Sequence, residues 1–303
     1  MKIIPVYYHL VSNKKNPLVD NLYSHKDIAM FRKDLEVLVK KYRILDLSDI
    51  QANKDGLILS FDDGFAECYS VIYPILKEMS IPAFFFVNNN FIDNRSMFYR
   101  AKLSLLISRL FYLSPLVHQQ LAKVLDCNIT GLTENILKIL DGNSVKIDTL
   151  LNIAQIDVDE YLFEHKPYLT TEQIFEMIAA GYYFGGHTHD HLRLKDLSAL
   201  EQEKRIVESA IDISQRFNLS YKLCSLPHND LGISRDVMKN VSEQIDYLFG
   251  GYGLNHQLDI RYIQRISNEH SSLRIDRFIN TWKVIHYITS KVKNYQKKIL
   301  KII

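Results

Sequence analysis

Two short stretches concentrate side chains that can move protons or grip a cation. The first is Ser60-Phe61-Asp62-Asp63-Gly64, at the end of the apolar run Leu57–Phe61. Adjacent carboxylates at the end of a buried strand are costly unless they are paired, hydrogen-bonded or bound to a cation. Neighbouring strand side chains point oppositely, but at a fraying strand end both can reach one site. Gly64 permits a sharp exit. An acidic turn in which Asp62 or Asp63 caps the next helix is the plainer account of this pentapeptide alone.

The second stretch is Gly185-Gly186-His187-Thr188-His189-Asp190-His191. Imidazole is the commonest zinc ligand, and two histidines with one carboxylate form an open catalytic set that leaves room for water. His187 and His191 share a side if the segment turns helically, whereas His187 and His189 suit an extended one. The residues alone leave that choice open. Three histidines so close together favour a metal site over a polar surface loop.

The elements that must position these groups alternate. Ile3–Tyr8, Leu57–Phe61, Ala83–Val87, Tyr182–Gly185, Leu223–Leu226 and Tyr247–Phe249 read as strands. Asp27–Lys41, Phe65–Met79, Thr171–Ala180, Ser198–Phe217 and Ile233–Val241 read as helices, the first capped by Ser24 and the fourth opening on a Ser198/Glu201 capping box. Such alternation predicts an α/β fold around a parallel sheet, open or closed into a barrel. Residues of about 94–164 interrupt it and read as a helical insertion. No internal repeat or linker is evident, so residues 1–303 are expected to form a single domain.

With both stretches in order, the chain resembles the polysaccharide deacetylase family, also called the NodB-homology or carbohydrate esterase 4 family. Leu57-Ile-Leu-Ser-Phe-Asp-Asp-Gly64 resembles the family's T-F-D-D-G motif, with Ser60 for Thr. Gly186-His-Thr-His-Asp-His-Leu192 resembles its H-[ST]-x-x-H motif, after a matching Tyr168–Gly181 helix. The resemblance spans Ile3 to about Asn268, apart from the insertion. It implies a distorted (β/α)7-type barrel and a metal-dependent hydrolase. The activity implied is removal of N-acetyl (or O-acetyl) groups from a glycan or glycan precursor by metal-activated water. Asp62 is then the general base. Asp63, His187 and His191 are the metal ligands, the metal being most simply zinc, with cobalt, nickel or iron as alternatives. Thr188 supports the loop, and His189 falls at a variable position.

Cys224-Ser-Leu-Pro-His-Asn-Asp230 resembles a third family motif, in which the backbone N–H after the proline holds the oxyanion. Pro227 matches, but His228 replaces the usual aromatic residue and no Gly follows. Tyr8-His9-Leu10 resembles the early histidine of the poly-N-acetylglucosamine deacetylases, which implies His9 as general acid, with His256 and His270 in reserve. Arg265, in Gln-Arg-Ile-Ser, resembles a late arginine that orients Asp62 by a charge-assisted hydrogen bond. An ordinary surface arginine is the plain alternative.

Two rivals follow from the departures. One is a catalytically impaired carbohydrate-binding relative. The other is a non-haem iron oxygenase using His228-Asn229-Asp230, although such enzymes usually sit on all-β scaffolds.

Composition narrows the partners. The 303 residues are 47% hydrophobic and 24% charged, as in ordinary globular proteins. A net charge of +2 gives no electrostatic case for nucleic acid. Three cysteines without a CxxC pair argue against a disulfide framework. An N-acetylated carbohydrate is the expected substrate. The N-terminus resembles a strand rather than an export signal, so the expected compartment is the cytoplasm. The basic amphipathic tail, about 275–303, is expected to pack on its own domain; peripheral contact with the inner face of a membrane is the alternative.

Overall fold

The computed structural model describes residues 3–140, 143–251, 253, 261–269 and 273–299, with side chains to residue 288. Eight parallel strands make its sheet: β1 (Ile3–Tyr8), β2 (Gly56–Phe61), β3 (Phe84–Val87), β4 (Tyr183–Gly186), β5 (Leu223–Ser225), β6 (Tyr247–Gly250), β7 (Tyr262–Gln264) and β8 (Ile266–Ser267). Their order is β7-β6-β5-β4-β3-β2-β1-β8. The two edge strands are consecutive in sequence, separated only by Arg265. The segment Tyr262–Ser267 therefore pairs with β6 through its first half and with β1 through its second. One continuous segment thus nearly closes the sheet into a barrel, and Arg265 sits at the seam.

Strand alternation sorts the core into two layers. Inward-facing Ile58, Phe84, Phe86, Leu223, Phe249 and Ile263 fill the barrel. Outward-facing Val6, Tyr8, Leu59, Phe61, Phe85 and Phe184 pack beneath the helices. Those helices include α1 (Ile28–Lys41), α2 (Leu47–Gln51) and α3 (Tyr73–Glu78). The sequence reads Phe65–Met79 as one helix, whereas Cys68–Ile72 is a π-helical turn leading into α3. Pro74 lacks the N–H that an unbroken α-helix would need there, and Tyr73 N–H instead donates to Cys68 O.

Between β3 and β4 run α4 (Tyr99–Leu110), α5 (Pro115–Leu125), α6 (Leu132–Leu137), α7 (Ser144–Ile153) and α8 (Val158–His165). Leu103, Leu106, Leu121, Ile136, Ile147 and Leu150 give this group its own apolar cluster. Then come α9 (Thr171–Ala179), which opens on a Thr170/Gln173 capping box, α10 (Ala199–Arg216) and α11 (Arg235–Gln244).

The last helix, α12 (Ile275–Ile299), buries Ile275 and Ile279 against the outer layer, with Phe278 and Trp282 partly covered. Val284, Ile285 and Ile288 are exposed. The side chains of Lys291, Lys293, Lys297 and Lys298, and all of Lys301, lie outside the described residues. Among the described residues, no helix is long and apolar enough to cross a membrane.

Phe85 stacks between Phe61 (5.1 Å) and Phe184 (5.3 Å) in the outer layer. Replacing it with Ala leaves a cavity that the neighbouring strands cannot collapse into. Phe85→Ala is expected to lower unfolding stability by about 3–5 kcal/mol in a denaturant titration. A loss below about 1 kcal/mol would contradict this packing.

Candidate active site

The C-terminal ends of β1, β2, β4 and β5 and the β7–β8 seam meet at one end of the barrel. Inward alternation along β2 carries Ile58, Ser60 and then Asp62 into the interior. Asp63 would face outward by the same rule. Its backbone instead turns left-handed (φ 70°), as does Gly64 (φ 67°), which swings the Asp63 carboxylate back toward the site. A Cβ on Gly64 would lie 2.9 Å from Val87 Cγ1. Asp62 and Asp63 are 2% and 3% exposed.

Asp62 is held in a fork. Arg265, 1% exposed, donates from Nη1 to Asp62 Oδ1 (2.8 Å) and from Nη2 to Oδ2 (2.7 Å). The guanidinium also donates to Ser60 Oγ (3.0 Å), Ser225 Oγ (2.5 Å) and Gly250 O (3.1 Å). Its carbon lies 4.4 Å from the centre of the Tyr7 ring. Arg265 is thus a buried member of the site rather than a surface arginine. Burial alone would raise the Asp62 carboxyl; the Arg265 charge and its hydrogen bonds reverse this and hold it below the usual range.

Asp63 faces His187 and His191. Its Oδ1 is 3.3 Å from His187 Nε2 and 3.2 Å from His191 Nε2. Gly185 and Gly186 set this loop close to the barrel. A Cβ on Gly186 would meet Ser209 Oγ of α10 at 2.3 Å, and one on Gly185 would meet Leu223 O at 2.7 Å. His191 N–H donates to Thr188 Oγ1 (3.2 Å), and Asn88 Nδ2 donates to His187 O (2.5 Å). Burial raises the Asp63 carboxyl, but the two facing imidazoles, His191 first, hold it well below its ordinary value.

The donor set of this group fits a cation. Asp63, His187 and His191 each offer one ligand atom, and these lie within 4.8 Å of one another. His187 Nδ1 is 2.9 Å from Ser225 O, a pure acceptor, so Nδ1 carries a hydrogen, and in the neutral ring that binds a metal the Nε2 lone pair faces Asp63. Two lone pairs at 3.3 Å repel unless a positive centre lies between them. Asp63 Oδ1 is buried and makes no hydrogen bond among the described residues. His189 turns away instead, to Asp212 Oδ2 at 2.7 Å. Asp230 of the rival triad accepts from Tyr262 Oη and Gln264 Nε2, both at 2.6 Å, and does not join the group.

His9, just beyond β1, is half-buried and lies 2.5 Å through Nδ1 from Glu269 Oε2. Glu269 Oε1 accepts from the backbone N–H of His9 and of Leu10. Burial opposes the imidazolium. The Glu269 charge and hydrogen bond, with smaller help from Asp63 and Asp62, overcome it and push His9 up to about 10. Buried Pro227 leads into exposed His228, whose backbone is left-handed (φ 59°) and whose ring centre is 4.6 Å from that of His191. His256 and His270 lie outside the described residues.

A family model described as polysaccharide deacetylase matches residues 49–110 and 118–249, more than half of the chain. The chain belongs to the polysaccharide deacetylase family. Solved structures share its fold at low identity. The Streptococcus pyogenes deacetylase PplD, solved in complex with acetate, is 15% identical with a TM-score of 0.60, over 93% of this chain and 98% of PplD. IcaB from Ammonifex degensii is 14% identical with a TM-score of 0.56, over 94% and 96%. A de-N-acetylase from Aggregatibacter actinomycetemcomitans is 15% identical with a TM-score of 0.53, over 91% and 99%. No curated protein sequence matches the chain significantly.

Several residues of this deacetylase site escape the sequence reading. Glu269 is the chief one. Like Asp62 and Asp63, it is an acid closely following a strand, but the two-residue β8 before it leaves no pattern in the sequence. Asn88 and Phe98, whose ring is 5.1 Å from that of His191, carry no motif, and Ser225 lies in the third motif without being singled out there.

Removing Arg265 would strand a buried carboxylate. Arg265→Met is expected to cost about 3–5 kcal/mol of stability, and adding Asp62→Leu to recover most of it. Equal stabilities of wild type and Arg265→Met in urea would contradict the fork.

Proposed function

We propose that this deacetylase is a metal-dependent hydrolase that removes N-acetyl groups from a glycan or glycan precursor. One juxtaposition carries the reading: an ionised carboxylate locked by Arg265 lies beside a carboxylate–imidazole group suited to a cation, with the charged His9–Glu269 pair joining the same strand ends. A divalent cation at Asp63, His187 and His191, most simply zinc, would supply Lewis acidity toward a water and the acetyl oxygen.

The chain's own residues do the rest. Asp62 accepts the proton of the attacking water, and Arg265 keeps that carboxylate ionised and fixed in direction. The backbone N–H that follows Pro227 faces the negative charge developing on the acetyl oxygen. An amide nitrogen leaves poorly unless protonated, so His9 delivers its proton there. Glu269, bonded to Nδ1, leaves Nε2 to carry that proton. The charged acid favours an N-acetyl over an O-acetyl substrate, because an alkoxide needs less help to leave. The IcaB and de-N-acetylase structures share this fold, and the PplD structure contains acetate, the product expected here.

Asp62→Asn is expected to reduce acetate release from an N-acetylglucosamine oligomer at least ~10²-fold while leaving about one equivalent of bound metal. Full activity in Asp62→Asn would remove it as the base. A protein that binds the oligomer but releases no acetate would instead be a binding relative.

His9 must be protonated to act, so activity is expected to fall as pH rises through its ionisation, near 10. Glu269→Gln removes a charge that raises this value. The alkaline limb of kcat/KM is therefore expected to move to lower pH. An unmoved limb would exclude His9 as the acid.

A further inference from the structure

Beside the catalytic group lies a cavity of about 260 Å³, whose walls include Arg100, Arg193, Lys195, Pro227, His228 and Asn229. Its cations come from two separate parts of the chain. Arg100 belongs to the first turn of α4, and Arg193 and Lys195 follow the histidine loop. Among the described residues, no carboxylate lines it. Of the nearby acids, Asp190 accepts from Arg205 (2.8 Å) and Asp230 from Tyr262 and Gln264, whereas Asp196 lies 3.6 Å from Arg193 and offsets part of its charge, leaving Arg100 and Lys195 as the main cations.

The walls are tied together. Gln202 of α10, 4% exposed, donates to Leu194 O (2.9 Å), Leu197 O (3.2 Å) and Gly232 O (3.3 Å), joining the loops after β4 and β5. Gly232 is left-handed (φ 82°), and a Cβ there would meet Lys195 Cβ at 2.7 Å. His228 links this cavity to the catalytic group, because it lines the cavity and its ring sits 4.6 Å from that of His191.

We propose that this cavity is an anion subsite that receives a phosphate group of the substrate, so that the acetylated sugar is presented beside a phosphate-bearing position. The assignment deepens the deacetylase reading and rests on it. A planar carboxylate is satisfied by one arginine fork, whereas a tetrahedral phosphate offers oxygens in several directions to Arg100, Arg193 and Lys195 together. The helical group between β3 and β4 thereby acquires a function, because α4 brings Arg100 to the cavity and follows Phe98, which packs on His191. The contact is electrostatic and partly exposed, so its benefit weakens with salt.

The test compares three probes on the metal-loaded protein: methyl N-acetylglucosaminide, N-acetylglucosamine 1-phosphate, and methyl N-acetylmuramic acid as the carboxylate control. The expected kcat/KM for the phosphate probe exceeds both others about tenfold at low salt. In the double variant Arg100→Gln/Lys195→Gln the preference disappears, while the neutral probe changes less than about twofold. Equal rates on phosphate and neutral probes in the wild type, or a carboxylate preference, would overturn the assignment.

Calorimetry with glucose 1-phosphate tests the subsite without turnover. Binding is expected in wild type and in Asp62→Asn, weakened at least about tenfold in the double variant. Binding that is absent, or unchanged in the double variant, overturns the subsite. Acetate release from none of the probes would count against the deacetylase reading alone.

Discussion

Two neighbouring carboxylates, Asp62 and Asp63, are almost completely removed from water, and the surrounding structure is organised by that burial. An uncompensated buried charge costs several kcal/mol, so each carboxylate requires a positive partner. The partners differ in kind. Asp62 has a permanent one, the Arg265 guanidinium, which cannot lose its proton and whose fork fixes both oxygens. Asp63 has two imidazoles, whose Nε2 atoms face its Oδ1 at 3.3 and 3.2 Å, a donor set that suits a cation. The same burial therefore fixes one carboxylate in direction and sets the other against two imidazoles.

Barrel closure follows from the same constraint. The segment Tyr262–Ser267 joins both edges of the sheet, and the residue at the crossover is the arginine that neutralises Asp62. The following Glu269 turns back to His9, so a single stretch of chain supports both Asp62 and the charged histidine. Backbone geometry is concentrated here as well. Asp63, Thr188, His191 and His228 all have left-handed backbones, a conformation that residues with a Cβ adopt at a cost and that dense packing around the site sustains.

Much of this was legible in the sequence, for identifiable reasons. The alternating apolar runs located six of the eight strands, because buried parallel strands must be apolar on both faces. The Asp-Asp-Gly and His-x-x-x-His stretches stood out because charged groups at buried strand ends are rare unless they bind or react. Strands β7 and β8 were not legible: three and two residues long, they carry no periodicity, and their pairing depends on barrel closure. The choice of His187 and His191 over His189 needed the family resemblance, since the left-handed turns that bring the first two together leave no mark on the spacing. Asn88 works through backbone carbonyls, and such a small polar residue looks the same in any loop; Ser225, at the end of β5, acts through the buried arginine, a contact that no spacing reveals. The π-helical turn before α3 was signalled by Pro74 but read through as helix.

The account depends on where a cation sits. Anomalous diffraction from crystals of the metal-loaded protein would show this directly. The predicted result is one peak bounded by Asp63, His187 and His191, with Asp62 outside the coordination sphere and still in the Arg265 fork. A peak elsewhere, or one that draws Asp62 away from Arg265 as a ligand, would contradict it.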